Sequence, residues 1–132
     1  MKTVFLCGPI RGLDKSDYLG WRKEAEKKLG DDFNVIHALR HCEEKGSFPF
    51  PKAKVARDKH DILNSDIILV NDTFENASMI GTSMEVIFAN ERDKIVVIFG
   101  EAHKNDFWLE THSHIRFYNL DEAIDFVRKM LK

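Results

Sequence analysis

Asp66-Ile67-Ile68-Leu69-Val70-Asn71 is the stretch that decides the fold. An unbroken apolar run sits between two polar residues, with no alternation. A strand wet on one face alternates apolar and polar side chains, whereas an unbroken run of strand length needs cover on both faces, as in a parallel sheet. Runs of the same kind lie on either side. Val4 to Cys7 is stopped by Gly8-Pro9, Phe33 to His37 reads as a second strand, Lys94 to Phe99 as a fourth, and Ile115 to Tyr118 as a weak fifth.

Helical patterns fill the gaps. Tyr18, Arg22, Ala25 and Leu29 share one face, and Gly30 ends that helix. Pro51 suits the first turn of a helix reaching about Asn64. A third runs from about Gly81 to Glu91, with Met84, Ile87 and Phe88 expected to point inward. Asn119 can cap a last helix, with Glu122 three residues on as in a capping box and an apolar stripe from Leu120 through Ala123, Ile124, Val127, Met130 and Leu131. Ala38 to Phe50 reads as a long loop, and Asn71 to Ile80 as a polar one. Alternating strand and helix with right-handed crossovers predicts an α/β fold. The expected form is a flavodoxin-like three-layer sandwich, with a five-stranded parallel sheet in the order 2-1-3-4-5, over a single domain, 1–132. Ligands of such sheets bind beyond the carboxyl ends of the strands at the switch point, here between the loops after Cys7 and after Val70.

The 132 residues are 43% hydrophobic and 32% charged, with a net charge of −2. Neither a nucleic acid polymer nor a membrane is an expected partner at that charge. Two cysteines, Cys7 and Cys42, make no disulfide framework, which favours the cytoplasm. The first apolar run ends too early for a signal peptide, and no run approaches the ~20 residues of a membrane span. His112-x-His114 lacks a complete ligand set, so no metal or other cofactor is expected.

Chemistry concentrates in the two switch-point loops and the helix behind them. Gly8-Pro9-Ile10-Arg11-Gly12 allows close backbone approach and offers a guanidinium fork. Asn71 to Ser78 is polar enough to hold a sugar or a base. Glu85, behind Gly81-Thr82-Ser83, is expected in the first turn of its helix, where the dipole keeps a carboxylate ionised, and on the side facing the pocket. Spacing alone makes Asp58 a solvated surface acid and Cys7 a small buried apolar residue.

Together these residues resemble the nucleoside 2-deoxyribosyltransferase family, including its deoxynucleoside 5′-monophosphate N-glycosidase branch. The resemblance rests on Phe5-Leu6-Cys7-Gly8-Pro9-Ile10-Arg11-Gly12, on Asp58 followed by Asn64-Ser65-Asp66-Ile67-Ile68-Leu69-Val70, and on Gly81-Thr82-Ser83-Met84-Glu85 with Ala89 and Lys94-Ile95-Val96-Val97. It implies an enzyme that cleaves the N-glycosidic bond of 2′-deoxynucleosides through a covalent sugar ester on Glu85 and passes the sugar to another base, with Asp58 handling the base's proton. Hydrolysis of nucleoside 5′-monophosphates, or non-catalytic nucleotide binding, are the alternatives. Substrate-binding residues are then Phe5, Cys7, Gly8, Pro9, Ile10, Arg11, Gly12, Asn71, Ser78, Gly81 and Ser83. The partners implied are a nucleoside or nucleotide, a free nucleobase, and a second copy of the chain in a homodimer or larger assembly. Asp106-Phe107-Trp108-Leu109 is the expected donor to the neighbour's site. Phe5 stands where many relatives carry tyrosine, and Pro9 where phosphate-using relatives carry serine.

Overall fold

A computed structural model describes residues 1–41 and 50–131. Most of the loop expected from Ala38 to Phe50 lies outside the described residues. The elements run β1 (Thr3–Cys7), α1 (Lys15–Leu29), β2 (Asn34–His37), α2 (Pro51–Leu63), β3 (Ile67–Asn71), α3 (Ile80–Asn90), β4 (Ile95–Phe99), α4 (Phe107–Thr111), β5 (Ile115–Phe117) and α5 (Leu120–Leu131). All strand pairings are parallel, and the sheet order is β2-β1-β3-β4-β5. This is the expected flavodoxin-like arrangement. No helix among the described residues is long and apolar enough to cross a membrane.

The decisive stretch behaves as its pattern requires. Every residue of β3 is buried, and its neighbours alternate in direction. Ile67 and Leu69 join Val4, Leu6, Val97 and Phe99 under α1 and α5, while Ile68 and Val70 join Phe5, Cys7, Val96 and Ile98 under α2 and α3. Each such aliphatic side chain contributes about 1.5–3 kcal/mol of burial. The period of two has a consequence for the site. Cys7 shares its side of the sheet with Phe5 and so faces the helices that carry Asp58 and Glu85.

Two inward faces differ from expectation. In α3 the buried residues are Thr82, Val86 and Ala89, whereas Met84 is 65% exposed. The helix is rotated so that Met84 and Phe88 line an open groove toward α2, which a count of apolar residues alone cannot distinguish from core. In α5, Asn119 does accept a hydrogen bond from the Glu122 N–H at 2.9 Å, but Met130 at the end of the stripe is half exposed.

Beyond β3 and β4 a buried ionic cluster fixes the chain. Asp72 is fully buried and accepts from the His103 N–H at 2.9 Å and from Arg116 at 2.8 Å, with His103 Nδ1 at 2.6 Å. Arg116 also donates to the Gly100 carbonyl and to Glu110. Gly100 has φ +100°, and a Cβ there would lie 2.4 Å from the Asp72 carbonyl oxygen. Backbone strain and backbone clash therefore act together. Gly100→Ala is expected to destabilise the fold by roughly 2–4 kcal/mol in urea denaturation. A loss below about 0.5 kcal/mol would show that this corner is not rigid.

Candidate active site

The switch point lies where β1 and β3 end side by side, Cys7 being in register with Val70. Their following chains diverge to opposite faces of the sheet, which leaves a crevice at the strand ends. Gly8 forms its floor. A Cβ at Gly8 would lie 2.9 Å from the Trp21 ring and 3.2 Å from the Asn71 Cβ, so this backbone approach tolerates no side chain. Asn71 is buried and uses its Oδ1 to accept from the Thr73 N–H and hydroxyl at 2.9 and 2.6 Å.

The crevice has two chambers that share one wall. A polar cavity of about 300 Å³ is lined by Gly8, Pro9, Ile10 and Arg11 on one side and Ser78, Ile80, Gly81, Thr82 and Glu85 on the other. A second, apolar cavity of about 380 Å³ lies between α2 and α3, with Val55, Ile62, Met84 and Phe88 around Asp58 and Lys59. Gly81 and Glu85 border both chambers. A Cβ at Gly81 would meet nothing within 4 Å, so open space adjoins the wall that the two chambers share.

Glu85 is the sixth residue of α3, a turn and a half from its start, and no acid lies in the first turn. The expectation of a carboxylate kept ionised by the helix start is therefore corrected. The helix begins at Ile80, and the dipole effect fades within one turn. Oε1 receives the Cys7 thiol at 3.7 Å, and Oε2 is closed off from solvent with no partner. Burial, reinforced by the neighbouring Asp58 charge, pushes the Glu85 carboxyl up to about 8, with Arg22 and Lys54 pulling the other way. Burial thus favours the protonated form of Glu85. Cys7 also donates to the Thr82 carbonyl at 3.9 Å, and burial, then the Glu85 charge, raises its thiol well above the ordinary range.

Asp58 is not the solvated acid that its spacing suggests, because only 15% of its side chain is exposed. Burial raises its carboxyl, opposed by Lys54, whose Nζ lies 3.3 Å away and also donates to the Ala38 carbonyl at 2.7 Å. One turn on, Asp61 receives a two-pronged hydrogen bond from Arg40 at 2.6 and 2.9 Å, which ties α2 to the end of β2.

The expected site residues divide accordingly. Gly8, Pro9, Ile10, Arg11, Ser78, Gly81 and Glu85 meet in one cavity, and Asp58 meets Glu85 in the other. Cys7 touches Glu85 from behind. Phe5 is core, and Phe5, Gly12, Asn71 and Ser83 line neither chamber. His112 stacks on Trp108 and lies within hydrogen-bond distance of its carbonyl, while His114 Nδ1 accepts from the Val96 N–H, so each has a structural task. Sequence reasoning missed Lys54 and Arg22. The first stands four residues before Asp58, a spacing that brings side chains together on a helix. The second reads in the sequence as an ordinary member of the α1 face.

Fold and site together define a flavodoxin-like α/β protein whose switch-point crevice is built around one carboxyl group with a second beside it. No protein-family model matches the chain, and no curated protein matches it in sequence. Among solved structures it is similar to a 2-deoxyribosyltransferase from Bacillus psychrosaccharolyticus, with TM-score 0.70 and 21% identity over 92% of this chain and 89% of that one. It is also similar to a CMP N-glycosidase from Clostridium botulinum, with TM-score 0.61 and 17% identity over 98% and 97% of the two chains. A conserved protein from Enterococcus faecalis gives TM-score 0.70 and 14% identity over 99% of both. At these identities the shared property is the fold.

Proposed function

We propose that the chain is a nucleoside 2-deoxyribosyltransferase that cleaves the N-glycosidic bond of 2′-deoxynucleosides and transfers the sugar to another base. The observation that carries this reading is the position of Glu85 between a polar chamber of sugar size and an apolar chamber holding an acid. A deoxynucleoside laid across both chambers puts its sugar beside Gly8 to Arg11 and its base between α2 and α3. Its anomeric carbon then comes to Glu85.

The chemistry follows from the two carboxyl groups. An oxygen of ionised Glu85 bonds to C1′ as the C1′–N bond breaks, and its electron pair leaves with the base. Protonated Asp58 donates to that base, because an anionic base is a poor leaving group. A second base, or water, then attacks C1′, Glu85 leaves as carboxylate, and Asp58 takes up a proton. Two displacements retain configuration at C1′. The same proposal places the protein in the cytoplasm as a homodimer or larger assembly. Phe107 and Trp108 are 86% and 66% exposed and so are available to a neighbouring copy's site, whereas Leu109 of the same stretch is buried in the core.

Incubation with a deoxynucleoside, with and without a second free base, tests the reading. Exchanged nucleoside is the expected product, and nucleotide binding without turnover across a broad substrate panel contradicts it. A second reading, hydrolysis of 5′-monophosphates, is favoured by Arg11 and Ser78, which line the polar chamber together with the first residues of α3, a helix start being a ready site for an anion. On that reading Arg11→Ala raises KM for a monophosphate by about 10-fold or more while leaving the unphosphorylated nucleoside nearly unaffected. Equal effects on both substrates would exclude a phosphate role for Arg11.

A further inference from the structure

Arg22 heads the fully buried side chains, at 1% exposure, yet among the described residues it has no carboxylate partner. Its Nη2 donates to the Gly8 carbonyl at 2.9 Å, Nη1 donates to the Tyr18 carbonyl, and Nε has no partner. The guanidinium lies 4.7 Å from the centre of the Trp21 ring. Carbonyls and a ring face are a poor exchange for water around a full positive charge. An uncharged side chain of similar volume would fill the space at less cost, so packing alone does not account for an arginine.

The charge is linked to Glu85 through the Gly8–Cys7 backbone. Gly8, whose carbonyl Arg22 holds, follows Cys7, whose thiol meets Glu85. Glu85 is the only titratable side chain of α3. It is faced by Cys7 from β1, by Arg22 from α1, and by Asp58 and Lys54 from α2, with Arg11 and Lys59 on the chamber walls. Burial and Asp58 oppose a negative charge at Glu85, and the thiol, donating to Oε1, gives it only a weak hydrogen bond. Lys54 favours it but is already engaged with Asp58 and the Ala38 carbonyl. Among the described residues Arg22 is a buried cation with no carboxylate hydrogen-bonded to it.

We propose that Arg22 is a positioning residue for Glu85, holding the Gly8 floor of the polar chamber and supplying the fixed positive charge against which Glu85 ionises. Arg22 does not touch the substrate. Its charge acts across the β1 backbone and lowers the cost of the carboxylate at the moment attack requires it. Burial lowers the Arg22 guanidinium to about 10, and the charges that hold it up are those of Cys7, Glu85 and Asp58. This role rests on the reading of Glu85 as nucleophile.

The test follows the Glu85 carboxyl by carbon-13 NMR through a pH titration of the native protein, Arg22→Gln and Arg22→Lys. Glutamine keeps an N–H donor and removes the charge; lysine keeps the charge and removes the fork. Arg22→Gln is expected to move the Glu85 midpoint up by about one unit, and Arg22→Lys by less than half of that. The acid limb of kcat/KM moves with it, giving about tenfold lower kcat/KM at pH 7 in Arg22→Gln and partial recovery in Arg22→Lys. An unmoved midpoint in folded Arg22→Gln overturns the proposal. If that variant does not fold, the native protein decides. The Arg22 Nε–H signal is expected to inflect at the Glu85 midpoint and to lose that inflection in Glu85→Gln, and a flat signal overturns the pairing. A native protein that turns over no nucleoside, while Glu85 still shifts in Arg22→Gln, contradicts the glycosidic reading and supports the pairing.

Discussion

Glu85→Gln is expected to lower deoxyribosyl exchange by about 10³–10⁵-fold in kcat, with the substrate still bound. Glutamine preserves the volume and the contact with Cys7 but cannot form the sugar ester. In the native protein kcat/KM should climb with pH through a half-maximal point near 8, because only the ionised carboxyl attacks and the free protein holds it up to about 8. The same shift has a cost in stability. A carboxyl raised by folding binds more protons in the native than in the unfolded state, so its contribution is full below the unfolded pKa and is lost as pH rises from about 4.5 through about 8. Glu85→Gln is therefore expected to be more stable than the native protein at pH 9, on the order of 1–3 kcal/mol, and closer to it at pH 4. Denaturation at the two pH values checks this, and a variant less stable than native at pH 9 would contradict the burial argument.

Asp58→Asn is the second large effect. Removing the proton donor is expected to lower kcat by about 10²–10⁴-fold for an ordinary base. The loss should shrink for a substrate whose base leaves readily without protonation. The variant also removes the like charge that helps hold Glu85 protonated, so its acid limb should move to lower pH. A falling kcat with a falling limb separates this role from simple damage to the pocket. Equal losses for good and poor leaving groups would remove Asp58 from proton handling.

The fold was legible because its signal is local. The apolar run at Ile67 to Val70 demands cover on both faces, and the stops at Gly8-Pro9 and Gly30 set the register of strand and helix. The pocket was legible by topology, since a 2-1-3-4-5 order leaves one switch point and thereby selects the Gly8 and Asn71 loops. Protonation was not legible. Glu85 lies in a helix whose start is displaced by a single residue from the expected one, and burial outweighs any dipole at that depth. Asp58 looked solvated because its cover, Lys54 on one side and α3 on the other, comes from packing that spacing does not report. Met84 was misread for the converse reason. It is apolar at helical spacing, yet it faces an open chamber rather than the core. Arg22 was invisible as a charge because a helix face records which residues are buried, not what they confront.

On the proposed mechanism Glu85 bonds to the sugar. Intact-protein mass spectrometry after mixing with a 2-fluoro-2-deoxynucleoside tests it most directly, because the fluorine slows release of the sugar from the ester. A single fluorodeoxyribosyl adduct is expected, located by peptide mapping at Glu85 and absent in Glu85→Gln. Free base released by the native protein with no adduct on any residue, or an adduct that persists in Glu85→Gln, would contradict it.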